Sequence, residues 1–137
     1  MEIEDDLISL KLPDATQEES IIKVIGVGGG GSNAVNHMFR QGIHGVEFVV
    51  CNTDIQALRQ SRVKNRIQLG KELTEGRGAG CQPERGRLSA IESMDFIKTI
   101  LEHNTRMVFI TAGMGGGTGT GAAPEIARQA KELGILT

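Results

Sequence analysis

Tryptophan and tyrosine are absent from the 137 residues, and four phenylalanines are the only aromatic side chains. A nucleic-acid surface needs stacking platforms and runs of basic residues, and this sequence supplies neither, so no nucleic-acid partner is expected. Cysteine is nearly as scarce. Cys51 and Cys81 form no CxxC pair, and His37, His44 and His103 are scattered, which excludes a disulfide framework and a zinc site built by the chain itself. No apolar run approaches the roughly 20 residues of a membrane span, and no basic stretch leads into an apolar signal segment. The expectation is a cytoplasmic chain with no direct membrane insertion.

Glycine is what the sequence has in excess: 19 of 137 residues, roughly twice average usage. Five glycines lie at 26–31, four at 76–86 and six at 113–121, so 15 of the 19 fall in three short windows rather than in a linker. Bare backbone is needed in three places. Charge is also unevenly placed. The net charge is −2, yet residues 1–20 carry seven acids and one lysine, leaving 14 basic against 10 acidic residues, or +4, in the rest. Residues 1–20 therefore read as a disordered acidic tail, with a single helical turn around Leu7–Leu12 as its one candidate element. The mildly basic body, 21–137, suits a small anionic ligand.

Within that body, Ile21–Val27 is a short β-branched apolar run of the kind buried on both faces of a parallel sheet. From Ser32, the residues Ala34, Val35, Met38 and Phe39 mark one face of a helix that Gly42 terminates. Val46–Cys51 is a second strand, followed by the turn Asn52-Thr53-Asp54, a short helix over 55–60 and a third strand near Val63–Leu69. Gly76–Gly80 reads as a loop. Pro83 opens a helix running to about residue 103, with Leu88, Ile91, Met94, Ile97 and Leu101 as its core stripe. Arg106–Thr111 is a fourth strand. Beyond the 113–121 glycines, Ala123, Ile126, Ala127, Ala130 and Leu133 mark a helix with Pro124 in its first turn, ending at Gly134, and Ile135-Leu136-Thr137 begins another strand.

Strands alternating with helices predict an α/β fold: a doubly wound, Rossmann-like parallel sheet with strand order 3-2-1-4. Strands one and four then flank the topological switch point, and ligands bind outside their carboxyl ends. The first and third glycine windows follow those two strands, so both should open on one crevice.

Gly26-Val27-Gly28-Gly29-Gly30-Gly31 fits GxGxxG after a strand and before a helix, where backbone N–H groups can face a phosphate. Asp54, 23 residues after Gly31, stands where a dinucleotide enzyme holds a ribose hydroxyl, so an NAD-type oxidoreductase domain is one reading of this half. Gly113–Gly121 supplies a second nest of amides around Thr118 and Thr120, which an NAD site does not need. Neither window contains a lysine and GxxxxGK[ST] is absent, leaving amides, hydroxyls and a cation to balance phosphate charge. Gly117→Val, which places a side chain in this cradle, is expected to abolish binding while leaving the strand and helix content largely intact.

GGGTGTGAAP at 115–124 resembles the signature of the tubulin/FtsZ GTPases. The segments IKVIGVGGGGSNAVNHM at 22–38, Asn52-Thr53-Asp54 and GRGAGCQPERG at 76–86 look like the bacterial cell-division members of that family. The resemblance implies a GTP/GDP site with Mg2+ accompanying the nucleotide. Gly29, Gly30, Gly31, Ser32 and Asn33 would form the first nucleotide loop, Ala79 and Gly80 would add phosphate contacts, and Gly116, Gly117, Thr118, Gly119 and Thr120 would cradle the phosphates. Asp54 would lie near the γ-phosphate and its cation.

The same resemblance implies that 21–137 is a partial GTP-binding domain, about four of six strands, within a protein that assembles head to tail at the division site with other division proteins. Hydrolysis would need an acidic loop from the neighbouring subunit, which this chain lacks, so no catalytic residue is assigned and little turnover is expected. An open sheet edge on the fourth strand is expected to let the chain dimerise or swap an element.

Overall fold

The computed structural model describes residues 20–137, and the expected acidic tail lies outside them apart from Ser20. Four strands form one parallel sheet: β1 (Ile22–Val27), β2 (Glu47–Asn52), β3 (Asn65–Gln68) and β4 (Met107–Ala112). Their order is β3-β2-β1-β4, as the alternation of strands and helices predicts. Register places Gly26 opposite Val50 on one side and Thr111 on the other.

Helix α1 (Gly28–Arg40) and helix α2 (Ile55–Gln60) cover one face, enclosing Val24, Val35, Val50, Leu58 and Val63. The other face carries α4 (Pro83–Glu92), α5 (Met94–Glu102) and α6 (Thr118–Glu132) over Ile25, Val27, Val49 and Val108, with Ile126 and Ala130 buried from α6. A four-residue helix, α3 (Lys71–Thr74), was not expected from the sequence and links β3 to the second glycine window. Leu136 pairs with β4 beside Met107, so the last three residues do start a further strand position.

Three expectations need correction. Helix α1 starts at Gly28, not Ser32, and α6 at Thr118, not near Ala123, which puts Pro124 inside α6 instead of in its first turn. Glycine's poor helix propensity suggested loops, but close packing against neighbouring backbone overrides a cost of about 1 kcal/mol per residue. The single helix over 83–103 is in fact two. Ser93 interrupts it: its side-chain oxygen accepts the Gly70 N–H at 3.0 Å and its hydroxyl bonds the Gln68 carbonyl, tying the break to the end of β3.

That break shifts the helical phase, so the stripe is not core throughout. Ile97 and Leu101 are buried, whereas Leu88 and Ile91 are 39% and 46% exposed. Before the break α4 buries Gly86, Ser89 and Ala90 instead. Small residues there let α4 lie directly on α6: a Cβ at Gly86 would strike the Gly117 carbonyl, and one at Gly121 the Pro83 carbonyl.

Candidate functional site

The carboxyl ends of β1 and β4 are adjacent, with Val27 paired to Ala112, and each strand feeds a helix that starts there. No residue separates β1 from α1. Gly28 makes the turn at φ 75°, a conformation that costs other residues about 1 kcal/mol or more. Glycine contacts then draw the two helix starts together. A Cβ on Gly28 would stand 3.0 Å from the Gly119 nitrogen, and one on Gly30 3.2 Å from the Gly113 Cα.

The first four N–H groups of a helix lack intrahelical acceptors and sit at the positive end of the dipole. Most helices here answer that with an acid. Asp54 caps α2, and Glu72, Glu84 and Asp95 occupy the first turns of α3, α4 and α5. Helices α1 and α6 have neither a side-chain cap nor an acid in the first turn. Among the described residues, these two helices are the ones whose N-termini are left uncompensated, and they meet at a crevice of about 330 Å³.

Gly29 and Gly116 line that crevice. A Cβ at either would meet nothing within 4 Å, and neither has the positive φ that would demand glycine. Protein packing and backbone conformation therefore leave room there for an external group to approach the amides. Gly117 differs: its Cβ would lie 2.8 Å from both the Ala79 Cβ and the Gln82 nitrogen. A side chain at Gly117 would therefore force α4 and the 76–80 loop away from α6, so loss of binding in Gly117→Val would not by itself locate the phosphates.

Of the sequence-derived candidates, Gly29, Gly30, Ala79, Gly116, Gly117, Thr118 and Gly119 line the crevice. Gly31, Ser32, Asn33, Asp54, Gly80 and Thr120 lie outside its lining. Gly31 supports it from beneath, where a Cβ would hit the Thr111 carbonyl, and Ser32 keeps a buried hydroxyl with no protein partner. Thr120 accepts the Gly115 N–H at 2.9 Å and so shapes the loop that carries Gly116. Lining residues not singled out beforehand are Val27, Gly28, Cys81, Gly113 and Met114. Gly28, Cys81, Gly113 and Met114 all lay inside the three glycine windows, but the pattern marked bare backbone and gave the Cys81 and Met114 side chains no role.

On the β2 side, the Asn52 side-chain oxygen accepts the Asp54 N–H, and Asp54 Oδ1 accepts from both Gln56 and Ala57. Thr53, fully buried between them, places its hydroxyl 2.7 Å from that of Thr118. Cys51 lies beneath the site in the core, where burial pushes its thiol up to about 12. No group of three or more His, Cys, Asp or Glu able to hold a metal occurs among the described residues. Asp54 Oδ1 is taken by the two N–H groups that cap α2, and a carboxylate of this kind would suit Mg2+ that keeps most of its waters.

The profile described as "Tubulin/FtsZ family, GTPase domain" matches residues 21–137. The chain belongs to the tubulin/FtsZ family. The dinucleotide-enzyme alternative falls with that match. Among relatives, the cell division protein FtsZ of Buchnera aphidicola (subspecies Acyrthosiphon pisum) is 60% identical over 125 residues, covering 91% of this chain and 32% of the relative. FtsZ of Aquifex aeolicus is 62% identical over 116 residues, covering 85% and 31%. An empty FtsZ dimer from M. jannaschii superposes with a TM-score of 0.83 at 43% identity, over 89% of this chain and 35% of that one. The GTPγS-bound protofilament of CetZ2 from Haloferax volcanii gives 0.72 at 26%, over 82% and 36%. The chain thus spans about a third of the length of these tubulin/FtsZ relatives, and no helix among its described residues is long and apolar enough to cross a membrane.

Proposed function

We propose that this chain is the phosphate-holding part of the GTP-binding domain of a filament-forming cell-division GTPase, working in the cytoplasm at the division site. The observation that carries the reading is the convergence of two helix N-termini without caps or acids on one crevice. Both dipoles favour an anion there, each end contributing about half a positive charge. Amides of Gly29, Gly30 and Gly31 from α1, and of Gly116, Gly117, Gly119 and Thr120 at the start of α6, would meet phosphate oxygens. Thr118 would add a hydroxyl, Ser32 and Asn33 would complete the first turn's polar edge, and Ala79 and Gly80 would close the phosphate side.

Mg2+ bound with GTP or GDP would offset charge on the bridging oxygens, with Asp54 turned toward its hydration shell. Phosphoryl transfer to water depends on positioning and charge stabilisation, and the residues named here would hold and orient the phosphates. The attacking water would be oriented by an acidic loop of the next subunit in a head-to-tail filament, so turnover should rise with subunit concentration once that region is present. An assembled relative, the CetZ2 protofilament, supports the self-association. Other division proteins are further partners.

Titration with a fluorescent GTP analogue tests the site. Gly116→Val fills open space and should abolish binding while leaving the apo melting temperature within about 2 °C, as expected for a surface change of a few tenths of a kcal/mol. Unchanged affinity in that variant would show that the phosphates sit elsewhere, and preference for NAD over GTP would sink the reading.

A further inference from the structure

We infer that Thr53 is a positioning residue for the nucleotide site, acting through Thr118 by fixing which way that hydroxyl donates. The inference rests on the phosphate reading of the crevice. Thr118 is the first residue of α6 and lines the crevice, whereas Thr53 is fully buried in the β2–α2 turn and is not part of the lining. Their hydroxyl oxygens are 2.7 Å apart.

A threonine hydroxyl carries one proton and two acceptor sites, so the pair must choose a direction. With Thr118 donating to Thr53, the proton of Thr118 is spent and a lone pair faces the crevice, where an anion would be repelled. With Thr53 donating to Thr118, the Thr118 proton is free for a phosphate oxygen, and the chain Thr53 to Thr118 to phosphate polarises in one sense. An anion in the crevice therefore selects the second arrangement. Thr53 can meet that demand at no cost, because no other hydrogen bond holds its hydroxyl among the described residues.

The position of Thr53 also joins three segments that the site needs in register. Its carbonyl accepts the Thr74 hydroxyl at 3.4 Å at the end of α3, and a Cβ at Gly78 in the second glycine window would stand 4.0 Å from its Oγ1. The turn bearing Asp54, the 76–80 loop and the start of α6 thus converge on one buried hydroxyl.

The test is a double-substitution cycle read by equilibrium binding of a fluorescent GTP analogue and of inorganic pyrophosphate to the chain. Thr53→Val keeps the shape and removes the proton, and should weaken both ligands by about three- to tenfold, the size of one hydrogen bond. Thr53→Ser should restore affinity. Thr118→Val should weaken binding at least as much, and adding Thr53→Val to it should cost nothing further. Additive losses, or full affinity in Thr53→Val beside a weakened Thr118→Val, would overturn the inference. If Thr53→Val melts lower without ligand, Thr53→Ser supplies the folded control, and failure of serine to restore affinity would likewise overturn it. Absence of binding by the unsubstituted chain, or indifference of both ligands to Gly116→Val, would instead bring down the phosphate reading beneath it.

Discussion

Asp54 caps α2 in the structure and is proposed to stand beside Mg2+, and the two roles can be separated by substitution. Oδ1 takes both N–H bonds that cap α2, from Gln56 at 2.9 Å and Ala57 at 3.2 Å. Asparagine caps a helix as well as aspartate, while alanine loses about 1 kcal/mol. Asp54→Asn should therefore leave urea stability within a few tenths of a kcal/mol yet lower the Mg2+-dependent part of nucleotide affinity, whereas Asp54→Ala should lose both. Equal Mg2+ dependence in wild type and Asp54→Asn would confine Asp54 to capping. The two thiols offer a second residue-level test. Cys81 is exposed on the crevice lining and Cys51 is buried with its thiol pushed up to about 12, so iodoacetamide at pH 8 should label Cys81 alone. Bound nucleotide should slow that labelling, and mass spectrometry of the peptides reads both outcomes.

At the scale of elements, β1 carries one lysine in an otherwise apolar strand. Lys23 is 1% exposed, and its ammonium bonds the His103 carbonyl at 2.6 Å and the Thr105 hydroxyl, with Glu47 at 3.5 Å. Burial holds its pKa below the ordinary 10.5, with Glu47 pulling the other way. Below the lowered value both folded and unfolded chains are protonated and the burial cost is felt in full. As pH rises from there to 10.5 the native state sheds its proton first, so stability from this group increases and then levels off. Lys23→Met should flatten that alkaline rise in urea midpoints, and an identical pH profile in both proteins would contradict it. Strands of this kind were legible from sequence because β-branched runs such as Ile22–Val27 and Glu47–Asn52 have few alternative structures. The starts of α1 and α6 were not: Gly28, which opens α1, and Gly119, which follows Thr118 at the start of α6, have their value in contact with each other's distant backbone, which no local pattern records. The same applies to the site. Its glycines announced themselves by clustering, whereas the pairing of Thr53 with Thr118 joins residues 65 positions apart and required the fold.

For the molecule as a whole, the outer edge of β4 is where copies of this chain are expected to meet. Leu136 covers it only near the start, accepting from Val108 N–H at 2.8 Å and donating to the Arg106 carbonyl at 3.1 Å. Alternation along the strand turns the N–H groups of Ile110 and Ala112 to that same edge, and no strand pairs with it there among the described residues. The α1 face above is also thinly covered, since α1 lies over β1 and β2, touches β4 near Thr111 and leaves Phe109 57% exposed. Unpaired edge groups beside an exposed aromatic favour pairing with a second copy. Sedimentation of this chain should show a weight-average mass that climbs with concentration, and Phe109→Lys, which puts a charge against the approaching copy, should return it toward the monomer. Because Phe109 stands on β4 away from the crevice lining, that variant should keep its nucleotide affinity, separating edge association from the head-to-tail contact proposed for the filament. A clean monomer across the concentration range would show that Leu136 and the residues after β4 already guard the edge.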